Sequence, residues 1–139
     1  MKNNVVWVFF ASTLFLILQF SIGCGNEPRD VGQMHYELYC ANCHKNNGEG
    51  LANLIPPLAN SDYLLEHVEE LPCMIYYGMN HEIEVNGRTF NQPMPANAEL
   101  SSQQIMLIAN YILNQWGNEH RKIFRQEIEQ WFGECEQGK

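Results

Sequence analysis

The stretch Cys40-Ala41-Asn42-Cys43-His44 holds two of the five cysteines in this chain of 139 residues. On a helix, positions i, i+3 and i+4 share one face. The side chains of Cys40, Cys43 and His44 are therefore predicted to point the same way. Such a set is compatible with a disulfide, half of a zinc site, a redox dithiol or an attachment site for haem.

The spacing favours one of these chemistries. C-x-x-C-H is the pattern of c-type haem attachment, in which two thiols add to the porphyrin vinyl groups and the histidine reaches the iron. A structural zinc site uses four ligands, usually as two close pairs, whereas Cys73 and Cys135 are single and far apart. A redox dithiol expects a βαβ context, and a simple disulfide leaves His44 without a role. We predict one covalent haem c on Cys40 and Cys43 with His44 as axial ligand, and the zinc site and the dithiol remain the alternatives.

A second axial ligand is predicted at Met94. This residue lies between Pro93 and Pro95, and a loop stiffened by prolines holds a weak ligand at little entropic cost. A thioether opposite histidine raises the reduction potential and leaves little room for external ligands. Met79 is the main rival for this position, and His81 is a further candidate.

The remaining local signals predict helices and one hairpin. Polar residues that can cap a helix precede the helical patterns. The Asn86-Gly87 pair lies between short segments of alternating apolar and polar residues, which is a strong signal for a β-hairpin. The elements expected in chain order are a helix from Asp30 into residues 40–44, a helix capped by Ser61 or Asp62, a hairpin over 82–90, a helix from Ser101 to Gly117, and a helix over 119–132.

The amino-terminal segment has the composition of an export signal. Lys2 precedes an uncharged apolar run over residues 5–20, which is short for a membrane span. The run ends in Ser-Ile-Gly-Cys24, which is similar to a bacterial lipobox. We predict a signal over 1–23, lipidation of Cys24 and a tether over 24–30, in a bacterial membrane lipoprotein that faces the periplasm or the cell exterior. A cleaved secretion signal and an uncleaved anchor are the alternatives.

The charge balance limits the possible partners. The full chain has a formal net charge of −8, and loss of residues 1–23 removes only Lys2 among the charged residues, which leaves −9. Such a surface repels nucleic acid and anionic lipid and favours basic protein partners. We expect no nucleic-acid partner, no basic surface cluster, and attachment to the membrane through the lipid anchor.

Four stretches together resemble the class I monohaem cytochromes c of bacteria. They are Gly32-x-x-x-Tyr36-x-x-x-CANCH, then PPL, NGRTFNQPMPAN and LSSQQIMLIANYILNQWGN, and the resemblance covers about residues 30–118. It implies an all-α fold in which the amino- and carboxyl-terminal helices cross over a covalent haem, with a small β-hairpin. We expect a cytochrome domain over 31–118 and a carboxyl-terminal helical extension over 119–139 packed on it.

The resemblance also implies roles for residues around the haem. The carbonyl of Pro56 is implied to accept a hydrogen bond from the second nitrogen of His44, which fixes the tautomer of the ring. Phe90 stands where related loops often carry tyrosine, so a hydroxyl contact to a haem propionate is missing. Arg88 is a candidate for supplying charge to that propionate instead, and an exposed hairpin position is the alternative.

The two cysteines that remain are Cys73 and Cys135. An exported protein meets an oxidising environment in which spare thiols pair. We predict a disulfide between them that ties the extension to the cytochrome domain. Two separate buried thiols are the alternative.

These expectations describe an electron carrier and not an enzyme. Its partners are then redox proteins or a respiratory complex, and no small-molecule substrate is expected. One alternative is a haem subunit fixed to a respiratory complex. A ligand-sensing or peroxidase-like haem protein is the other, and it requires a displaceable ligand at Met94.

Overall fold

The structure is a computed structural model that describes residues 30–137. None of the helices in this part of the chain is long and apolar enough to cross a membrane. The elements are six helices, α1 (Val31–Tyr39), α2 (Ala41–His44), α3 (Asp62–Glu66), α4 (Leu71–Tyr77), α5 (Ser102–Ile112) and α6 (Arg125–Gln137), and two strands, β1 (Ile83–Val85) and β2 (Arg88–Phe90).

Helices α1 and α5 cross in close contact. Asp30 caps α1 by accepting the amide hydrogen of Gly32 at 2.8 Å. A Cβ atom on Gly32 would collide with the backbone carbonyl of Leu107 on α5, so the crossing depends on glycine. One turn later Tyr36 is fully buried, and its ring centroid lies 5.4 Å from that of Tyr111. The predicted crossing of the amino- and carboxyl-terminal helices is confirmed.

Helix α5 begins where the sequence predicts and ends earlier. Ser101 and Gln104 form a capping box, and Leu100 and Ile105 are both buried beside it. The helix ends at Ile112, five positions before the predicted stop at Gly117.

The early end of α5 is explained by a buried amide. Asn118 donates through Nδ2 to the carbonyl oxygens of Ile112 at 2.8 Å and Leu58 at 2.7 Å. Its Oδ1 accepts the amide hydrogen of Ser61 at 3.2 Å. Asn118 therefore satisfies a helix-end carbonyl and joins the end of α5 to the start of α3, where Ser61 is the cap.

The hairpin has the predicted turn. Strands β1 and β2 pair antiparallel, with Ile83 opposite Phe90 and Val85 opposite Arg88. Asn86 and Gly87 form the turn, with φ of 51° and 72°.

The carboxyl-terminal extension differs from its predicted form. The predicted helix over 119–132 is wrong at both ends, since α6 spans Arg125–Gln137. The side chain of Asn110 bonds both the amide and the carbonyl of Ile123 at 2.8 Å, so backbone groups that a helix would use are already occupied. Phe124 precedes α6 and is 63% exposed.

The extension shares the hydrophobic core of residues 31–118. Ile128 and Trp131 of α6 are buried in one cluster with residues of α1, α4 and α5. The structure also joins Cys73 of α4 to Cys135 of α6 in a disulfide, with Cα atoms 6.3 Å apart. The extension therefore packs on α4 and α5 and is linked covalently to α4.

Candidate functional site

The residues 40–44 lie at a bend between two helices. Cys40 ends α1 and caps α2, and the amide of His44 donates to the Cys40 carbonyl at 3.0 Å. Neither Cys40 nor Cys43 takes part in a disulfide. Cys40 lines one part of a cleft, Cys43 lines the adjoining part, and His44 lines both. The predicted trio therefore meets at a single place.

The cleft is apolar and lies between the helices and the hairpin. The part lined by Cys40 contains about 660 Å³ of space not filled by atoms, and the adjoining part lined by Cys43 about 750 Å³, which is within the range of small-molecule and cofactor sites. Apart from the residues discussed below, its wall is built from Pro57, Leu58, Leu64, Leu71, Met74, Ile75, Ile83, Val85, Ile108 and Ile112.

His44 is held in the form that binds a metal. Its side chain is buried, and Nδ1 lies 3.2 Å from the carbonyl oxygen of Pro56. Since a carbonyl only accepts, this contact assigns the proton to Nδ1 and leaves Nε2 as the unprotonated nitrogen. Burial lowers the pKa of His44, although the Pro56 bond opposes the shift. A neutral imidazole with a fixed tautomer is the ligand form that metals require.

Met94 and Met79 lie side by side across the cleft wall. The amide of Met79 donates to the carbonyl of Met94 at 3.0 Å, and the amide of Met94 donates to the carbonyl of Met79 at 2.9 Å. A pair that exchanges both bonds carries its two side chains on the same side of the ladder. Both residues line both parts of the cleft. The sequence treats them as rivals, and their separation of 15 positions carries no sign that they pair.

Phe90 and Arg88 take different positions at the hairpin. Phe90 is buried and lines the part of the cleft that contains Cys43. Arg88 lies outside the cleft wall, and its guanidinium donates to the carbonyl of Ala52 at 3.2 Å and to the side chain of Asn53. These acceptors explain the orientation of Arg88, and its contact with a propionate stays a prediction.

Two further residues, Tyr63 and His67, belong to the cleft wall. The rings of Tyr63 and His67 are stacked with centroids 4.0 Å apart, and His67 Nδ1 lies 2.9 Å from the Tyr63 carbonyl. Both line the cleft. Tyr63 and His67 are four positions apart after the Ser61 cap, so a helical projection of residues 62–67 would have placed them on one face.

The geometry argues against the zinc site and the dithiol. Burial, followed by the influence of Cys43, raises the pKa of the free Cys40 thiol to about 12. Thiol exchange uses the thiolate, so this shift disfavours a redox dithiol. Over residues 30–137, no group of three or more histidine, cysteine, aspartate or glutamate residues is arranged to hold a metal ion.

Comparison with known proteins agrees with this geometry. The family model described as Cytochrome c matches residues 30–116, which is more than half of the chain. The chain belongs to the cytochrome c family. The cofactor of this family is a covalently attached haem c, and the two thiols, the neutral imidazole and the apolar cleft of this chain fit that group.

The similar proteins are bacterial cytochromes. Cytochrome c-552 of Thermus thermophilus is 35% identical over 83 residues, which are 57% of this chain and 63% of the relative. A second cytochrome c-552 sequence from the same species shows the same identity, with 56% of its length matched. The cytochrome c subunit of alcohol dehydrogenase (quinone) from Gluconacetobacter polyoxogenes is 33% identical over 101 residues, 70% of this chain and 21% of the relative. The chain thus spans less than two thirds of the length of these relatives.

Proposed function

We propose that this chain is an electron-transfer cytochrome with one haem c and no catalytic activity of its own. A bound haem supplies a one-electron ferric/ferrous couple. The observation that carries the proposal is the apolar cleft, which brings Cys40, His44 and Met94 to one place.

The residues of the chain have distinct roles in this proposal. Cys40 and Cys43 hold the cofactor through thioether bonds at adjoining parts of the cleft. His44, oriented by Pro56, would be the first ligand of the haem iron. Met94 would be the second ligand. A haem whose iron takes both of these ligands from the protein would have no open position for a substrate, which supports a carrier and not an enzyme.

The wall of the cleft controls the surroundings of the cofactor. Val85 and Phe90 each expose only 2% of their surface, and the neighbouring prolines lack amide hydrogens. An apolar and rigid wall excludes water, which raises the reduction potential and keeps the geometry similar in the two oxidation states.

An absorption spectrum of the purified holoprotein tests the proposal. We expect the spectrum of haem c and, in the ferric form, the weak charge-transfer band of a thioether-to-iron bond. We also expect no binding of carbon monoxide by the ferrous form. Ready binding of carbon monoxide without that band would favour the ligand-sensing or peroxidase-like function instead.

A fixed subunit of a respiratory complex is the second candidate function. The match to the cytochrome c subunit of a quinone alcohol dehydrogenase supports it. Purification of the tagged full-length protein from membranes in mild detergent separates the two candidates. A stoichiometric dehydrogenase or oxidase partner would favour the subunit, and a free cytochrome would favour the shuttle.

We also propose that a lipid on Cys24 anchors the protein to a bacterial membrane, on the side facing the periplasm or the cell exterior. Cys24 and the signal over 1–23 lie outside the described residues, so this proposal rests on the sequence Ser-Ile-Gly-Cys24 after the apolar run. The intact mass of the mature protein tests it, because a diacylglyceryl-modified chain that begins at Cys24 differs from every unmodified product.

A further inference from the structure

A short basic segment with an exposed aromatic ring lies between α5 and α6. Arg121, Lys122 and Arg125 are all exposed, and Phe124 between them is 63% exposed. Ile123 is buried, and both of its backbone polar groups are bonded by Asn110 at 2.8 Å. The segment is therefore held rigidly with its cations and its phenyl ring on the surface, and the expectation that the chain has no basic surface cluster is wrong.

The segment lies where the amino-terminal tether reaches the domain. Lys122 and Phe124 line a groove together with Leu107 and with Asp30, the N-cap residue of α1. Cys24 is six residues before Asp30, a reach of about 20 Å for an extended chain. Arg29 immediately precedes Asp30 in sequence. Three of the seven basic residues that follow position 23 lie within residues 121–125.

Two of the three cations have a carboxylate partner. Arg121 makes two hydrogen bonds to the Glu127 carboxylate, at 3.1 Å and 2.5 Å, and Arg125 lies 3.4 Å from Glu129. The Arg125–Glu129 pair is exposed on both sides, and such single surface pairs are weak, so Arg125 is available to a second partner. Lys122 has no ion pair among the residues that the structure describes. The rest of the surface is acidic, and one separate groove is lined by Glu66, Glu69, Glu70 and Glu134.

We propose that residues 121–125 form a membrane-docking face that binds a bilayer surface containing anionic phospholipid. The cations bind lipid phosphate groups, and the ring of Phe124 enters the interfacial region. The inference rests on the proposed anchor at Cys24, because a tether of that length keeps the face within reach of the bilayer. An acidic protein would otherwise be repelled by such a surface.

This contact sets the orientation of the site. Helix α1 has nine residues and is about 14 Å long. Its first turn lies at the docking face, and its last turn leads into Cys40. The bilayer contact is thus at the opposite end of α1 from Cys40.

Hydrogen–deuterium exchange of the lipidated holoprotein in nanodiscs tests the proposal. We expect the amides of residues 121–125 to be more strongly protected in discs that contain anionic phospholipid than in discs of phosphatidylcholine alone. Lys122→Gln should lower that protection about fivefold, the equivalent of one cation at an anionic surface. Phe124→Ser should also lower it. Leu38→Ser is the matched control, since Leu38 is exposed on the last turn of α1, and its protection pattern should be unchanged.

The outcomes separate the docking face from the anchor. Absent protection in a chain whose mass shows the lipid would overturn the docking face and leave the anchor intact. Equal protection in both kinds of disc would also overturn it, because the cations would then be irrelevant. If the mass shows no lipid, the anchor fails, and co-sedimentation of the same chain with vesicles of the two compositions decides the docking face by the same comparison.

Discussion

At the scale of single residues, each of two important side chains in the site depends on one neighbour. The Pro56 carbonyl fixes the tautomer of His44, and two backbone hydrogen bonds to Met79 fix the position of Met94. The pattern of residues 40–44 could be interpreted from sequence because its spacing is local. The pairing of Met79 with Met94 could not, because it is made by a loop whose course depends on contacts far along the chain.

The two methionines give a matched pair of substitutions. Met94→Ala should remove the thioether-to-iron band of the ferric holoprotein and allow carbon monoxide to bind the ferrous form. Met79→Ala should keep the band, since the proposed ligand remains. Absorption spectra of both variants provide the measurement. A band that survives in Met94→Ala and disappears in Met79→Ala would transfer the ligand role to Met79.

A second matched pair concerns glycines. In Gly32→Ala the new Cβ meets the Leu107 carbonyl and lies 3.0 Å from the Tyr111 Cβ, so overpacking should lower the free energy of unfolding by about 1–3 kcal/mol. In Gly133→Ala the new Cβ has open space within 4 Å, and the higher helix propensity should raise stability by about 0.5–1 kcal/mol. Denaturant unfolding of the holoproteins measures both. Equal effects of the two changes would contradict the close crossing of α1 and α5.

At the scale of elements, the starts of helices follow from local sequence and their ends do not. Ser61 and Ser101 are caps that the sequence predicts and the structure contains. The end of α5 depends on Asn118, and the irregular course of residues 119–124 depends on Asn110, thirteen positions from its partner Ile123. In both cases an asparagine side chain bonds backbone groups that a longer helix would use. The periodicity of apolar residues does not show this competition, so it could not be predicted from sequence.

The amide of Asn118 is expected to be important for joining α5 to α3. Asn118→Ala leaves the buried Ser61 amide and two carbonyls without their partner, and each unsatisfied buried group costs about 1–3 kcal/mol. We expect a large fall in the melting temperature of the holoprotein. Asn114→Ala is the control, because Asn114 is exposed and makes one bond to the Asn110 carbonyl. A fall of similar size in both variants would count against the role of Asn118.

The start of α6 should depend on pH. The hydrogen bond from Arg121, followed by that from the Phe124 amide, lowers the pKa of Glu127 from its ordinary value of 4.5. The folded state therefore binds this proton less readily than the unfolded chain. The contribution of Glu127 is complete above pH 4.5 and is lost as the pH falls through the lowered pKa. The protection factor of the Phe124 amide, which compares its exchange with the intrinsic rate at each pH, should fall over that range, and the same amide in Glu127→Gln should show no such step.

At the scale of the whole molecule, the extension makes the cytochrome domain and its carboxyl-terminal helix one cooperative unit. Ile128 and Trp131 are buried in the same core as α1 and α5, and the disulfide closes a loop between positions 62 residues apart. The pairing of Cys73 with Cys135 is predicted from sequence, because they are the two cysteines left after the other roles are assigned. The shared core depends on the actual position of α6, which the sequence predicts five or six residues too early.

Removal of the disulfide should therefore destabilise the whole unit. In the chain-entropy model a loop of this length contributes about 4 kcal/mol, and Cys73→Ser with Cys135→Ser should lower the free energy of unfolding by up to that amount. The haem spectrum should be unchanged at low temperature. Alkylation of the unreduced native protein gives the independent check, and two labelled thiols at Cys73 and Cys135 would show that the bridge does not form.

The position of Cys135 near the carboxyl terminus has a consequence for biogenesis. Four cysteines in the described part of the chain can pair in three ways, and only one of these leaves both haem-attachment thiols free of Cys73 and Cys135. Until residue 135 has been synthesised, Cys73 has only Cys40 and Cys43 within this region as possible partners. For the proposed haem attachment in an exported protein, correct maturation therefore requires that the thiols of Cys40 and Cys43 stay reduced or acquire haem before Cys73 is oxidised.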